Sequence, residues 1–245
     1  MKLMLKKAHL VIYLAFVIFF FLILYLPLYY FSRHPSRYRK MNHIRRVFGF
    51  LTSFSAGMIV RFRYREKIDW SRNYIVCANH TSNLDITAIS LMMNSNYAFM
   101  GKEELLNNPV TSLFFRTIDI PVNRKSTISA YRAFRRAADY LRQGLSLVIF
   151  PEGQIADVYP PELQRFKNGP FRLAIEHQVP VIPVSIRGIW QIMWDDGWKY
   201  GTRPGIYHIC IHEPICTEGL TLDDTDALRD RVFEIIKTGT DEDNR

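Results

Sequence analysis

From Leu10 to Phe31 the chain reads LVIYLAFVIFFFLILYLPLYYF, about 22 positions without one charged side chain. No other feature constrains the fold as much, because a helix apolar on every side has no face that belongs in water. At about 1.5 Å of rise per residue, the run is long enough to cross the hydrocarbon of a bilayer. A buried core helix fits such length and all-round apolarity poorly. A cleaved signal peptide fits no better, since the run is too long and no small-x-small site follows it. Residues 1–31 are therefore read as a retained membrane anchor. Pro27 kinks or ends its helix, and a shallow or re-entrant insertion stays open beside a full crossing.

The charge pattern agrees. The formal net charge is +9, and no acidic residue occurs between Phe31 and Arg65, where Arg33, Arg37, Arg39, Lys40, Arg45, Arg46, Arg61, Arg63 and Arg65 fall. A basic cluster directly after an apolar run is read as attraction to anionic lipid head groups. Nucleic-acid binding would account for the charge but not for the anchor, so no nucleic-acid partner is expected. Lys2, Lys6 and Lys7 flank the other end. The larger basic excess follows the anchor, which places the main domain on the cytoplasmic face of the cell membrane. The three cysteines, Cys77, Cys210 and Cys216, are too few for a disulfide framework and suit a reducing compartment. Cys77-x-x-His80 and Cys210-x-His212 carry ligand types without the repeat of a zinc pair, so no metal site is expected.

Residues 32–60 form a basic juxtamembrane segment. Two readings fit 42–60 (NHIRRVFGFLTSFSAGMIV), an interfacial helix beside the first or a core helix of the soluble domain. From 61 to 240 the pattern is mixed α/β. Apolar runs at 74–78, 97–101, 118–122, 145–150, 179–186 and 206–212 read as strands, with RFRYR at 61–65 as a half-exposed one. Helical segments lie between them, over 86–94, 102–116 and 126–144, and a closing helix over 222–240. This alternation predicts a largely parallel sheet flanked by helices.

Chemistry gathers where strands end. The first run ends at His80, with Asp85 five positions on; the third ends at Asn123-Arg124; the fourth ends at Phe150-Pro151-Glu152-Gly153. In open α/β sheets, ligands bind outside the carboxyl ends of the strands. Ser82-Asn83-Leu84-Asp85 also fits a capping box at the start of a helix, so local structure explains Asp85 as readily as catalysis does. If the pair is catalytic, imidazole takes a proton and the carboxylate on its other ring nitrogen fixes the tautomer.

Four blocks in order resemble the glycerolipid acyltransferase family, which contains the 1-acylglycerol-3-phosphate acyltransferases. They are Asn79-His80 with Asp85; Val122-Asn123-Arg124; Phe150-Pro151-Glu152-Gly153; and the Val-Pro-Val-x-Pro-Val strand from Val179 to Val184. A Phe166-Lys167-Asn168-Gly169 turn and Lys102 to Leu105 add to the likeness, which covers roughly residues 74–186. The resemblance implies a glycerol-3-phosphate acyltransferase-like fold behind an N-terminal membrane-anchoring helix. It implies transfer of an acyl group from acyl-CoA or acyl carrier protein, a co-substrate rather than a cofactor, to the free hydroxyl of a lysophospholipid. The expected acceptor is 1-acyl-sn-glycerol-3-phosphate, giving phosphatidic acid. His80 would be the general base oriented by Asp85, Lys102 and Arg124 would hold the acceptor's phosphate, and Glu152 and Gly153 would shape the acceptor site. Ser82 as an enzyme nucleophile is the rival. Backbone N–H groups near the strand ends or the following helix are the expected oxyanion donors.

The chain departs from the family at Gln154-Ile155-Ala156, where the third block usually continues Thr-Arg-Ser. Ile155 cannot bind a phosphate; Arg165 or Lys167 from the adjoining loop would have to replace that cation. The alternatives are therefore an O-acyltransferase for another lysolipid, such as a lyso-amino-acid lipid, or a membrane lipid-binding protein without catalysis.

Overall fold

The short apolar runs become strands because they are too short and too β-branched to make helices, and because flanking helices bury both of their faces. The structure, a computed structural model, describes residues 2–241. Two helices come first, α1 (Lys2–Ser32) and α2 (Tyr38–Ser55), joined by a 3₁₀ turn at Pro35–Arg37. Then come β1 (Met58–Tyr64), β2 (Ile75–Ala78), α3 (Leu84–Met92), β3 (Tyr97–Lys102), α4 (Thr111–Phe115) and β4 (Ile120–Val122). The remainder is α5 (Thr127–Arg142), β5 (Ser146–Ile149), α6 (Gly169–Glu176), β6 (Val181–Arg187), α7 (Ile189–Ile192), β7 (Gly205–Ile211) and α8 (Thr225–Asp241).

These strands form one sheet in the order β1-β7-β6-β2-β5-β3-β4. From β6 to β4 every neighbouring pair is parallel, while β7 is antiparallel to β6 and carries β1 parallel to itself. The mixed, mostly parallel sheet expected from the strand–helix alternation is what forms. Its central strands β2 and β5 are buried along their whole length, with apolar clusters on both faces.

Several boundaries differ from the sequence reading. The helix sought at 42–60 runs from Tyr38 to Ser55, and its last residues belong to a left-handed turn at Gly57 and to β1. The segment 102–116 is not one helix but a 3₁₀ turn at Glu103–Asn107 followed by α4, interrupted at Asn108-Pro109, because proline disfavours the helical conformation of the residue before it. The Ser126 cap and Gly144 stop of α5 appear as read, with the Ser126 hydroxyl accepting from Ser129 N–H.

The apolar helix α1 is long and apolar enough to cross a membrane, by length and composition. One face of it is docked. Leu10 and Leu28 are fully buried, Tyr13 and Phe21 nearly so, and α1 packs along α2. Near its start, His9 Nε2–H donates to the Ala56 carbonyl (2.9 Å), leaving Nδ1 to accept from the Thr202 hydroxyl (2.6 Å). Thr202 N–H donates to the Lys6 carbonyl at 2.9 Å. A side chain on Gly201 would meet Lys6 backbone at 2.6 Å, so only glycine lets the two segments approach this closely. The opposite face of α1 exposes Val11, Ile18, Phe19, Leu22, Ile23 and Leu26, beside Phe50 and Phe54 of α2.

Candidate active site

The parallel block aims the ends of β2, β3, β4 and β5 the same way, which brings residues distant in sequence to one rim. His80 follows β2, Lys102 ends β3, Arg124 follows β4, and Glu152 lies just past β5. His80, Lys102 and Arg124 line one cavity of about 100 Å³ with Asn83, Phe99, Leu105, Phe115, Phe150, Ile155 and Asp195.

His80 Nδ1 lies 2.9 Å from Asp85 Oδ2. A carboxylate can only accept, so Nδ1–H donates, and in the neutral ring Nε2 is then the nitrogen able to accept a proton. The same Asp85 oxygen accepts Thr81 N–H at 2.7 Å and Ser82 N–H at 2.9 Å. Asp85 is fully buried in the first turn of α3. Half of the expected capping box is therefore real: the acid reaches back to the Ser82 N–H. The serine half differs, because the Ser82 hydroxyl accepts from Leu84 N–H rather than from Asp85. Ser82 itself is fully buried, a poor position for a nucleophile. The imidazole is only 15 % exposed and stacks on Phe150 at 4.1 Å between ring centroids, so packing as well as hydrogen bonding fixes its plane.

Asn79, the first residue of the block, points away from the chemistry. Its side-chain amide donates to the Ile186 carbonyl (2.9 Å) and accepts the Ile186 N–H (2.7 Å), tying the end of β2 to β6. Glu152 is buried behind the histidine rather than in the cavity. One of its oxygens accepts His80 N–H and the other Gln164 N–H, both at 2.7 Å. Burial pushes its carboxyl up to about 7, against the two N–H groups, which favour the charged form. Gly153 does not line the cavity either. It sits at φ +79, where L side chains are strained, and the Lys167 ammonium fills the space a Cβ would need.

The structure thus brings together His80, Asp85, Lys102 and Arg124, and sets Glu152 and Gly153 behind them as supports of the loop. Arg165 turns toward Arg229 and Phe233, away from this cavity. The expectation of amide oxyanion donors at the start of α3 fails locally. His80 N–H serves Glu152, Thr81 and Ser82 serve Asp85, Asn83 N–H donates to the Asp195 carbonyl at 2.9 Å, and Leu84 serves Ser82. Asp195 escaped the sequence reading, as did the stacking role of Phe150. Phe150 was visible only as part of a block, and Asp195 lies far along the chain with no motif around it.

Comparison with known proteins bears on what this arrangement is for. The family model described as Acyltransferase matches residues 59–187. The mouse protein 1-acyl-sn-glycerol-3-phosphate acyltransferase alpha is 30% identical over 184 residues, covering 74% of this chain and 64% of that protein. The human beta protein of the same name is 28% identical, covering 77% of this chain and 68% of its own length. An uncharacterized acyltransferase of Schizosaccharomyces pombe is 29% identical, covering 71% and 63%. The chain therefore spans slightly less than two thirds of the mouse and yeast relatives. Among solved structures, the 1-acyl-sn-glycerophosphate acyltransferase PlsC of Thermotoga maritima superposes with a TM-score of 0.79 at 28% identity, covering 98% of this chain and 97% of that one.

Proposed function

Because this chain belongs to the Acyltransferase family, we propose that it transfers an acyl group from a thioester, acyl-CoA or acyl carrier protein, to the free hydroxyl of a lysophospholipid. Lysophosphatidate is the first acceptor to offer, since the similar proteins are named for it. The observation that carries the reading is the histidine: Nδ1 is committed to a buried carboxylate, and the residue lines a cavity together with two cations.

In this mechanism Nε2 takes the proton of the acceptor hydroxyl as its oxygen attacks the thioester carbonyl. Asp85 stabilises the imidazolium that forms. The tetrahedral intermediate then collapses, the carbon–sulfur bond breaks, and the imidazolium returns its proton to the departing thiolate. With the amides from His80 to Leu84 already engaged, the charge on the carbonyl oxygen falls to side-chain donors of the cavity or to amides elsewhere on its rim. Lys102 and Arg124, both exposed at the rim, hold the acceptor's phosphate. Glu152 supports the catalytic loop from behind.

Membrane attachment belongs to the same reading. The exposed apolar faces of α1 and α2 meet lipid, the exposed Arg33, Arg39, Lys40 and Arg46 meet anionic head groups while Arg45 is buried on Asp119, and the domain lies on the cytoplasmic side. Because α1 is docked along the domain, it holds the cavity against the membrane instead of trailing it on a tether.

The test uses the full chain in detergent with a labelled acyl thioester and lysophosphatidate. Wild type should form phosphatidic acid, and His80→Ala should lose at least roughly a thousandfold in kcat. Full activity in the alanine variant, or no acylation of any lysolipid by wild type, would sink the reading.

A further inference from the structure

Asp195 shares the cavity with His80, Lys102 and Arg124, yet no step of the transfer uses it. Its backbone is held in the left-handed region at φ +49, unusual for any residue but glycine and best tolerated by Asn and Asp. Two hydrogen bonds hold it there. Asp195 N–H donates to the Thr81 carbonyl (3.1 Å), and its own carbonyl accepts from Asn83 (2.9 Å). The residue therefore grips the loop that carries His80, and its side chain is placed beside the imidazole. Strained conformations of this kind concentrate at functional sites.

The charges around it form a pattern. Burial and the neighbouring Asp196 push the Asp195 carboxyl up, Asp157 adds to them, and Lys102 and His80 pull it back toward the charged form, while Glu104 lies in the field of Arg124. Among the described residues neither acid is locked to either cation in an ion pair. Ile155 lines the wall where the family's third block usually supplies another arginine. Lys102 and Arg124 thus stand among the carboxyls of Asp195 and Glu104, with Asp196 and Asp157 adding negative field at Asp195, a balance unlike a clamp built for a doubly negative group.

We propose that Asp195 is a specificity-determining residue for the acceptor: it penalises a second negative charge on the lysolipid head group and favours a hydrogen-bond donor or cation beside the acid. The proposal rests on the acyl-transfer reading and deepens it. A zwitterionic lysophospholipid gives its phosphate to Lys102 and Arg124 and its ammonium to Asp195. A phosphomonoester dianion sets its second charge against Asp195.

The experiment compares lysophosphatidate with lysophosphatidylethanolamine of the same acyl chain, using the full chain in detergent and one acyl-CoA. Asp195→Asn keeps a residue at home in the left-handed region, so the loop should survive. The kcat/KM ratio of lysophosphatidate to lysophosphatidylethanolamine should rise about tenfold or more in this variant, mainly through KM. Lys102→Gln should move the ratio the other way. An unchanged ratio, or an equal loss on both acceptors, overturns the proposal. Binding of the two lipids, followed by tryptophan fluorescence of the same proteins, gives the ratio without turnover. If wild type acylates neither acceptor, the acyl-transfer reading fails separately, while the binding ratio still decides the role of Asp195.

Discussion

Asp85 and Asp119 are both buried and both accept three hydrogen bonds, yet they are built differently. Asp119, just before β4, receives Arg45 of α2 bidentately at 3.2 and 2.9 Å and Phe99 N–H at 3.0 Å, so both oxygens and the charge are answered. Arg45 is itself buried, over the ring of Phe114 at 4.1 Å. Asp85 gathers all three donors on Oδ2, and its buried Oδ1 has no partner among the described residues. One acid rivets the helix pair to the sheet, its charge permanently neutralised. The other holds a charge that is fully matched only when the imidazole gains a proton. In the proposed mechanism Asp85 answers the positive charge that His80 gains during transfer, whereas both oxygens of Asp119 are already taken by its partners.

Substitutions should separate the two. Asp85→Asn can keep its backbone bonds through the amide oxygen, so thermal unfolding should change little, while kcat should fall roughly 10³- to 10⁴-fold through loss of the charge behind His80. If its unfolding temperature drops instead with activity per folded molecule intact, the two acids are alike and the distinction collapses. Arg45→Met should do the reverse. Stranding Asp119 costs about 3–5 kcal/mol in denaturant unfolding, and kcat per folded molecule should stay within a few-fold. Adding Asp119→Leu to Arg45→Met should recover most of that loss, as apolar replacement of buried pairs often does.

Glu152 falls between these cases, and sharpens the contrast most gently. Glu152→Gln turns one acceptor into an NH₂ facing a backbone N–H, a loss of about 1–3 kcal/mol with a smaller fall in kcat than Asp85→Asn. Its pH dependence has a definite sign. The carboxyl titrates near 4.5 ordinarily and about 7 when folded, because burial disfavours the charge. Between those values the unfolded chain releases the proton that the folded chain keeps, so stability from this group, full below the lower value, declines as pH rises toward the upper one. The stability advantage of wild type over Glu152→Gln should therefore shrink across that window when unfolding is followed at several pH values. A constant gap would mean that Glu152 is already ionised when folded.

Legibility in the sequence tracks the range of the interactions. His80 and Asp85 lie five positions apart and meet through one helix start, so their spacing raised the pair, but only the further blocks told it from a helix cap. Arg124 was placed by strand–helix alternation, which sends successive strand ends to one rim, whereas Lys102 came only from the family resemblance. Glu152 was recognised as part of a block, but its bonds to His80 and Gln164 depend on how β5 is set beside β2, which no local pattern encodes. The Arg45–Asp119 pair and Asp195 depend on contacts between distant segments and left no trace in spacing. In α1, apolarity hid the answer. Leu10, Tyr13, Phe21 and Leu28 mark the docked face, but a run apolar on all sides cannot show which side is covered.

The segment from Trp194 to Thr202 touches the His80 loop at Asp195 and the start of α1 at Gly201 and Thr202. Helix α1 and the His80 loop are thus mortised into a single short piece of chain, and they cannot be exchanged as modules. Replacing residues 1–31 with an unrelated apolar helix would restore membrane residence without restoring the seat of Lys6, His9 and Leu10. Such a chimera should arrive at the right surface with its histidine loop unbraced.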